Sequence, residues 1–586
     1  MSDATVEQAA DPAALLSRSR LSAAGLAVPL CLLLTIAVAH FLRFSDFGLY
    51  EDDYYYVGEP LGWSLPQAVA SVADALRGWP NGRPVGQAVP RFLAFAGGSL
   101  FGLPGVYLLG FAVIATNALL AFRLAARLFP PLPAFAFALV FSLFPADTTR
   151  IFPTYALQMH LAQLFALLAA ERLLVRRPLA ALPFFVLVLL TYETLSAPLF
   201  LVPLLAGTAW TRAWRRWLAA WAAMAVAVLS VVAIRSIMDE RRIVEALSSG
   251  IPSLLGKVAA APLLGIWTSA RLLVTRPVDA FSTLLAAEWL AVLAYLAALV
   301  WVIARLGDDE SAASPAEAAA TARSLAGGPP SGSAAAHGTA SWTLFIGILA
   351  WLAGYALSFT HWPPLAVAGR GTSVHGAATL GAALTTAALA WILGRTARRR
   401  VSRTILRLGV AGFFALLVGF HLTVQRAFAE SWTQQRALWR QVVELCPDLE
   451  EGTVIFVQPQ GLPANSMALV SSWADPLVLE LVFRFPREWS SVPRAFALHR
   501  EVAASFSEVD GTVRWRVPDA TWRSHVSVLD HKKVVVLKSE AGRLQRIRGK
   551  VRIDSVEITS KRRTRQTIAT FPRGPLFALL LGDELP

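Results

Sequence analysis

Charge and cysteine are both scarce in this chain of 586 residues, and each scarcity removes possibilities. Only 16% of residues are charged, against roughly a quarter in an ordinary soluble domain. The two cysteines are Cys31, inside the first apolar block, and Cys446, far downstream. They supply no internal disulfide framework and leave the redox compartment undetermined. No repeat of fixed period is visible, which argues against a solenoid or propeller. Apolar material, by contrast, is abundant: 55% of the chain is hydrophobic and the mean hydropathy is +0.53. That exceeds what one soluble core requires, and it comes in separated blocks, so the sequence describes a polytopic α-helical membrane protein.

The formal net charge of +14 invites a nucleic-acid partner. The arginines, however, gather at the ends of apolar blocks, as FRLAAR (122–127), ERLLVRR (171–177), TRAWRR (211–216) and GRTARRRVSR (394–403). This is the positive-inside pattern of a membrane protein, and it argues against nucleic acid. Arg18 and Arg20 precede the apolar run Leu21–Leu42, which contains Ala37-Val38-Ala39 and so resembles a cleavable signal. The run is long enough to span a bilayer and is expected to be a retained anchor.

With those arginines inside, residues 1–20 form a cytoplasmic tail and the first span, about 21–42, exits on the far side. Residues 43–103 become the first outer loop, in which LPQAVASVADAL and GQAVPRFLAFAGG suit interfacial helices. Further spans are expected near 104–125, 132–146, 154–174, 179–193, 195–211, 217–237, 283–305, 342–360, 373–394 and 404–425. Roughly eleven passes result, so the C-terminus faces outward. The stretch 257–273 is compatible with a surface helix or a further membrane element. Residues 307–341 are rich in small residues, Pro and Gly and suit a flexible cytoplasmic linker, in which His337 has no chemical claim. The transmembrane domain so defined runs from 21 to 429. From 430 to 586 a helical start followed by β-branched and alternating runs points to an extracytoplasmic, β-rich α/β domain.

The densest chemistry lies just past the first span, in YEDDYYYV at 50–57. Adjacent carboxylates raise one another's pKa, and a membrane surface adds to the cost of ionising them, so Glu51, Asp52 and Asp53 form a candidate site. Downstream lie GRPV at 82–85, FGLPGVYLLGFAVIATNALL at 101–120, FPADTTRI at 144–151, LLTYETLSAPLFL at 189–201 and AGRGTSVHG at 368–376. In order, spacing and sidedness over about residues 20–430, this set resembles the GT-C superfamily of integral membrane glycosyltransferases that use polyprenyl-phosphate sugars. It is most similar to the O-mannosyltransferase branch and its bacterial relatives. Departures are visible: Tyr192 stands where that branch has the lysine of its lysine–glutamate pair, VYLLG lacks its histidine, and no tetratricopeptide array follows.

The resemblance implies a polyprenyl-phosphate sugar donor, a glycan, lipid or protein hydroxyl as acceptor, and inversion at the transferred carbon. It implies Asp52 as the base, with Asp53 as a neighbour that orients the acceptor or a divalent metal; metal need itself is left open. Independently of any family, transfer from a lipid phosphate needs one base but no general acid, because phosphate is already a good leaving group. It also needs a cation for that phosphate near the membrane surface, with Arg370 the first candidate and Arg83 the second. Glu51, Tyr55, Asp147, Arg150, His160, Tyr192 and Glu193 are candidates for the cavity wall or sugar site.

Plainer roles remain open for each. Acid clusters at loop starts are commonly solvated; Asp147 suits a helix cap; Arg83 and Arg370 suit lipid-headgroup anchors; His160 and Glu193 suit satisfied helix ends; the tyrosines suit an interfacial belt. Two other functions also stay open, a transporter or flippase of a lipid-linked glycan and a non-catalytic envelope assembly subunit. The Ala/Arg/Leu-rich usage points to a bacterial inner membrane.

Overall fold

The structure is a computed structural model that describes residues 23–582 except 176, 207–208, 239, 241–249, 313–332, 359–361, 397–399, 459–468, 470, 472, 499–501, 503–504, 511, 518–524, 541, 554–555 and 562–570. The expected N-terminal tail and most of the expected linker therefore lie outside the described residues. Eight helical stretches among the described residues are long and apolar enough to cross a membrane, accompanied by shorter apolar helices at Pro131–Leu143 and Ala340–Ala353. The chain is a polytopic membrane protein with a strand-rich C-terminal region.

Helix α1 (Ala23–Phe41) is apolar on all sides, as a helix must be when both neighbours and lipid surround it. It delivers the chain to the acidic loop, which α2 (Leu65–Gly78) and α3 (Pro84–Phe101) extend. Ser64 and Gln67 cap the start of α2 reciprocally. Next, α4 (Leu103–Ala125) starts beside the acidic loop, where the Tyr107 hydroxyl donates to the Gly48 carbonyl (2.7 Å). It ends at the opposite face, where Arg123 and Arg127 both reach Glu171 (2.9 Å each). These two landmarks define a carboxylate face and a far face.

Helix α5 (Pro131–Leu143) returns to the carboxylate face; a short α6 (Pro153–Leu157) and then α7 (Met159–Leu174) follow. Helix α8 (Pro178–Tyr192) comes back, and the chain reverses at Glu193 into a 3-10 segment, Glu193–Ala206. Glu193 meets Arg83 at the carboxylate face. At the other end the Leu204 carbonyl accepts from Trp342 Nε1 (2.9 Å), and Leu205 lines a small apolar cavity with Leu128 and Leu174. The apolar stretch Pro178–Leu205 is thus two legs, not one. Pro198 and Pro203 deny the second leg a regular α-helical hydrogen-bond ladder.

Helix α9 (Ala209–Ile237) climbs again to the carboxylate face. The following α10 (Ile251–Thr283) meets that face along much of its length. Ser269 Oγ accepts from Trp351 Nε1 (3.0 Å), Arg276 donates to the Val367 carbonyl (2.7 Å), and the Thr283 carbonyl accepts from Arg426 (3.1 Å). Helices α11 (Ala286–Ala312), α12 (Ser333–Ala353) and α13 (Thr379–Thr396), the last preceded by a 3-10 segment at Arg370–Ala378, complete the bundle with the long helix that follows.

Helix α14 (Arg400–Leu445) has 46 residues, a length of about 69 Å at 1.5 Å per residue. It runs unbroken from the bundle into the C-terminal region, so residue 430 is no backbone boundary. Beyond it a mixed sheet orders its strands β2-β1-β6-β7, with β1 (Val454–Gln458) parallel to β2 (Arg494–Ala497) and β6 (Val534–Glu540), and β7 (Arg543–Arg546) antiparallel to β6. Alternation along β1 splits the packing. Ile455 and Val457 join the core that continues into the bundle, whereas Phe456 joins a second cluster with Phe496 and Trp515. The strands β3 (Phe506–Val509) and β4 (Thr512–Val517) build around that second cluster, as does the hairpin of β8 (Gly549–Ile553) and β9 (Val556–Ser560), while β5 (His525–Val528) pairs antiparallel with β4.

Candidate active site

The three acids of the first loop have separate environments. Asp53 is fully buried: one carboxylate oxygen accepts from the Tyr50 amide (3.1 Å), the other from the Thr154 amide at the start of α6 (2.9 Å). Burial, only partly opposed by the Thr154 and Tyr50 bonds, pushes its pKa up to about 7. Glu51 holds a left-handed backbone conformation (φ 49°), a strained state for a non-glycine residue that recurs at functional sites. Burial lifts its pKa to about 7 against the pull of Arg370, with the Asp52 charge adding to the rise. Asp52 faces Arg370, whose Nη1 lies 3.0 Å from its Oδ1 and 3.8 Å from Glu51 Oε2. The flanking tyrosines anchor the loop: Tyr50 donates to the Phe428 carbonyl (2.9 Å) and Tyr54 to Gln435 Oε1 (2.7 Å), both on α14.

A second charged group adjoins the first. Arg83 grips Glu193 with both arms (2.8 and 2.9 Å) and stacks 4.2 Å above the Tyr192 ring. Arg235 adds a third bond to Glu193 (3.2 Å) and donates to the Gly82 carbonyl (2.9 Å). Gly82 allows this arrangement because its φ of 66° suits glycine and because a Cβ there would strike the Arg235 guanidinium. Tyr155 and Tyr56 connect the groups. The Tyr155 hydroxyl accepts from Arg370 Nε (3.2 Å) and lies within electrostatic reach of Tyr192 and Asp52. Tyr56 lies within reach of both Asp52 and Arg83.

The C-terminal region supplies the outer wall. The ring of Trp473 stands 5.4 Å from that of Tyr55, and Asp475 senses the Glu51 and Asp52 charges. Burial drives the Asp475 pKa well above the usual carboxylate range, opposed by the Ser471 amide, and those two charges raise it further.

Of the residues singled out in the sequence, Glu51, Asp52, Asp53, Tyr55, Arg83, Tyr192, Glu193 and Arg370 come together at this face. Asp147, Arg150 and His160 belong to a separate buried group. Asp147 caps its own turn through the Thr149 amide and hydroxyl (3.0 and 2.6 Å), and Arg150 donates to the Phe141 carbonyl (2.6 Å). His160 Nδ1 is bonded to Gln163 Oε1 (2.7 Å). Arg235, Tyr155, Trp473 and Asp475 were not anticipated. Arg235 was detectable, since an arginine inside the apolar run VVAIRSIM (231–238) marks an ionisable group at membrane depth. Trp473 and Asp475 left no comparable signal.

Among the described residues no group of three or more His, Cys, Asp or Glu is placed to hold a metal ion. The arrangement pairs Asp52 with Arg370 next to a second carboxylate, Glu193, that is held by Arg83 and Arg235. No family model matches the chain, and no curated protein matches it either.

Proposed function

We propose that the chain is an inverting, GT-C-like membrane glycosyltransferase that moves a sugar from a polyprenyl-phosphate donor to an extracytoplasmic glycan, lipid or protein hydroxyl. The observation that carries this reading is the pairing of Asp52 with Arg370 at the mouth of the bundle, beside Arg83 and Arg235. A proton acceptor and phosphate-binding cations thereby share one face. Placing Glu193 and Thr283 at that face leaves α10 along the membrane surface and divides Pro178–Leu205 into two passes. In this reading α1, α4, α5, α7, α8, the Glu193–Ala206 leg, α9, α11, α12, α13 and α14 cross, which makes eleven passes with the N-terminus cytoplasmic and the C-terminal region extracytoplasmic.

The pairing also suggests how the reaction is switched on. Without donor, Arg370 is occupied by Asp52. A donor phosphate that takes the guanidinium competes with that carboxylate and releases it to act as base. Asp52 then takes the acceptor's hydroxyl proton, and the acceptor oxygen attacks the anomeric carbon from the side opposite the phosphate. The carbon–oxygen bond to phosphate breaks with its electron pair, and polyprenyl phosphate leaves held by Arg370.

The test is release of polyprenyl phosphate by purified full-length protein in nanodiscs, supplied with polyprenyl-phosphate sugars and candidate acceptors. Asp52→Asn should keep donor binding and lose transfer by on the order of 100-fold or more. Near-normal turnover in that variant would remove Asp52 as the base. Vectorial movement of lipid-linked sugar without bond formation would favour the transporter reading.

A further inference from the structure

A cavity of about 580 Å3 opens at the far face of the bundle, between α7, α8 and α9, remote from the carboxylates. Its wall is apolar, from Leu173 and Phe185 to Ala223 and Met224, and among the described residues Arg177, at the mouth, is its one charged lining residue. Arg177 is exposed, and its guanidinium has no ion pair among the described residues, whereas the nearby Arg123 and Arg127 are committed to Glu171. At the start of α9 on the same face, Trp214 is half exposed and Arg215 lies 5.6 Å over its ring, a pairing suited to the headgroup level. From Arg177 to Phe185 the wall descends eight residues along α8, about 12 Å at 1.5 Å per residue. That depth falls within one leaflet of a hydrocarbon core about 30 Å thick.

An apolar cavity at this depth does not hold water, and the bilayer offers chains to fill it. We infer that this groove is a binding site for an anionic diacyl phospholipid, one acyl chain between α8 and α9 and the phosphate at Arg177. Charge complementarity selects the headgroup, and the single-leaflet depth selects an acyl chain over a long polyprenyl chain. The site is independent of the transfer reaction.

Native mass spectrometry of the full chain in detergent tests it, titrating phosphatidylglycerol, phosphatidylcholine with the same chains, and polyprenyl phosphate. Wild type should retain phosphatidylglycerol about five-fold better than phosphatidylcholine, the preference one surface arginine provides. Arg177→Gln, at an exposed position with no folding role, should abolish the preference without abolishing lipid retention. Ala223→Phe, which projects a ring into the cavity, should abolish retention of both phospholipids while the thermal unfolding midpoint stays within a few degrees. Equal retention of the two phospholipids by wild type would overturn the assignment, and so would unchanged retention in a folded Ala223→Phe. Displacement of phosphatidylglycerol by polyprenyl phosphate, or cross-linking of two copies through this groove, would show that the occupant is something else. If Ala223→Phe does not fold, the loss or persistence of headgroup preference in Arg177→Gln decides.

Discussion

Asp52 and Asp53 are buried neighbours in sequence with different partners, Arg370 for Asp52 and two backbone amides for Asp53, and the proposed function assigns them different roles. Asp53 satisfies two buried amides, one in its own loop and one opening α6. Asp53→Ala orphans both, and the expected loss of stability is on the order of 2–4 kcal/mol, measured by thermal or denaturant unfolding. Asp52→Ala strips Arg370 of its partner and should destabilise too, so Asp52→Asn is the variant expected to lose transfer while staying folded. Arg370 adds a second comparison: Lys keeps the charge but cannot hold Asp52 and Tyr155 from separate nitrogens, so Arg370→Lys should bind donor nearly as poorly as Arg370→Ala. Equal donor affinity in wild type and both variants would move the phosphate to Arg83 and Arg235. Glu51 and Asp53 also set a pH dependence. Both have folded pKa values pushed up to about 7, above unfolded values of about 4. The folded state therefore binds more protons at these two groups between those limits, so their contribution to stability is greatest below about pH 4 and declines as pH rises toward 7. Glu51→Gln should flatten that decline in unfolding midpoints measured from pH 4.5 to 8; an unchanged slope would refute its share.

Elements explain which parts of this arrangement can be read from sequence. The helix expected at LPQAVASVADAL is α2, recognisable from its amphipathic pattern. The break at Glu193 was visible as a charge followed by prolines inside an apolar run. Helix α10 was less legible: 33 apolar-rich residues meet every length rule for a span, and only contacts with Trp351, Val367 and Arg426 show the face it follows. Pairings such as Asp52 with Arg370, or Glu193 with Arg235, depend on which helix ends converge, and spacing along the chain carries none of that. Helix α10 yields a direct prediction. Leu263, Trp267, Val274 and Val278 all point outward (67–70% exposed), and spin labels at these positions should report similar shallow depths in the bilayer. A steady gradient through the bilayer centre would make α10 a span and change the parity of everything after it. The turn before Arg83 gives another. Gly82→Ala forces a Cβ against Arg235 at a left-handed φ, so it should destabilise by about 1–3 kcal/mol and weaken donor binding, whereas Gly78→Ala, with open space around it, should do neither.

At the scale of the whole molecule, the C-terminal region and the acidic loop are locked together. Tyr50 and Tyr54 bond to α14, Tyr55 packs on Trp473, and a Cβ added at Gly58 would touch Leu481 of α15 (Val478–Val482) and Leu576 just before α16 (Phe577–Leu581). Helix α14 carries the bundle core directly into the sheet, so the carboxylates and the described C-terminal region share one face. In the proposed topology, which keeps Arg18 and Arg20 inside, that face is the extracytoplasmic one. A reporter active only in the cytoplasm, fused after Pro586, should therefore be silent, and one active only outside should signal. A cysteine introduced at Ser64, on the exposed start of α2, should react with a membrane-impermeant thiol reagent from the same side. Opposite sides for the two probes would break the contact between Trp473 and Tyr55 and refute the composite site. The same side, but cytoplasmic, would keep the site intact while removing the extracytoplasmic acceptor. Trp473→Ala separates closure from topology: it should leave both probes unchanged and lower transfer through acceptor affinity, because it opens the wall beside Tyr55 without touching Asp52 or Arg370.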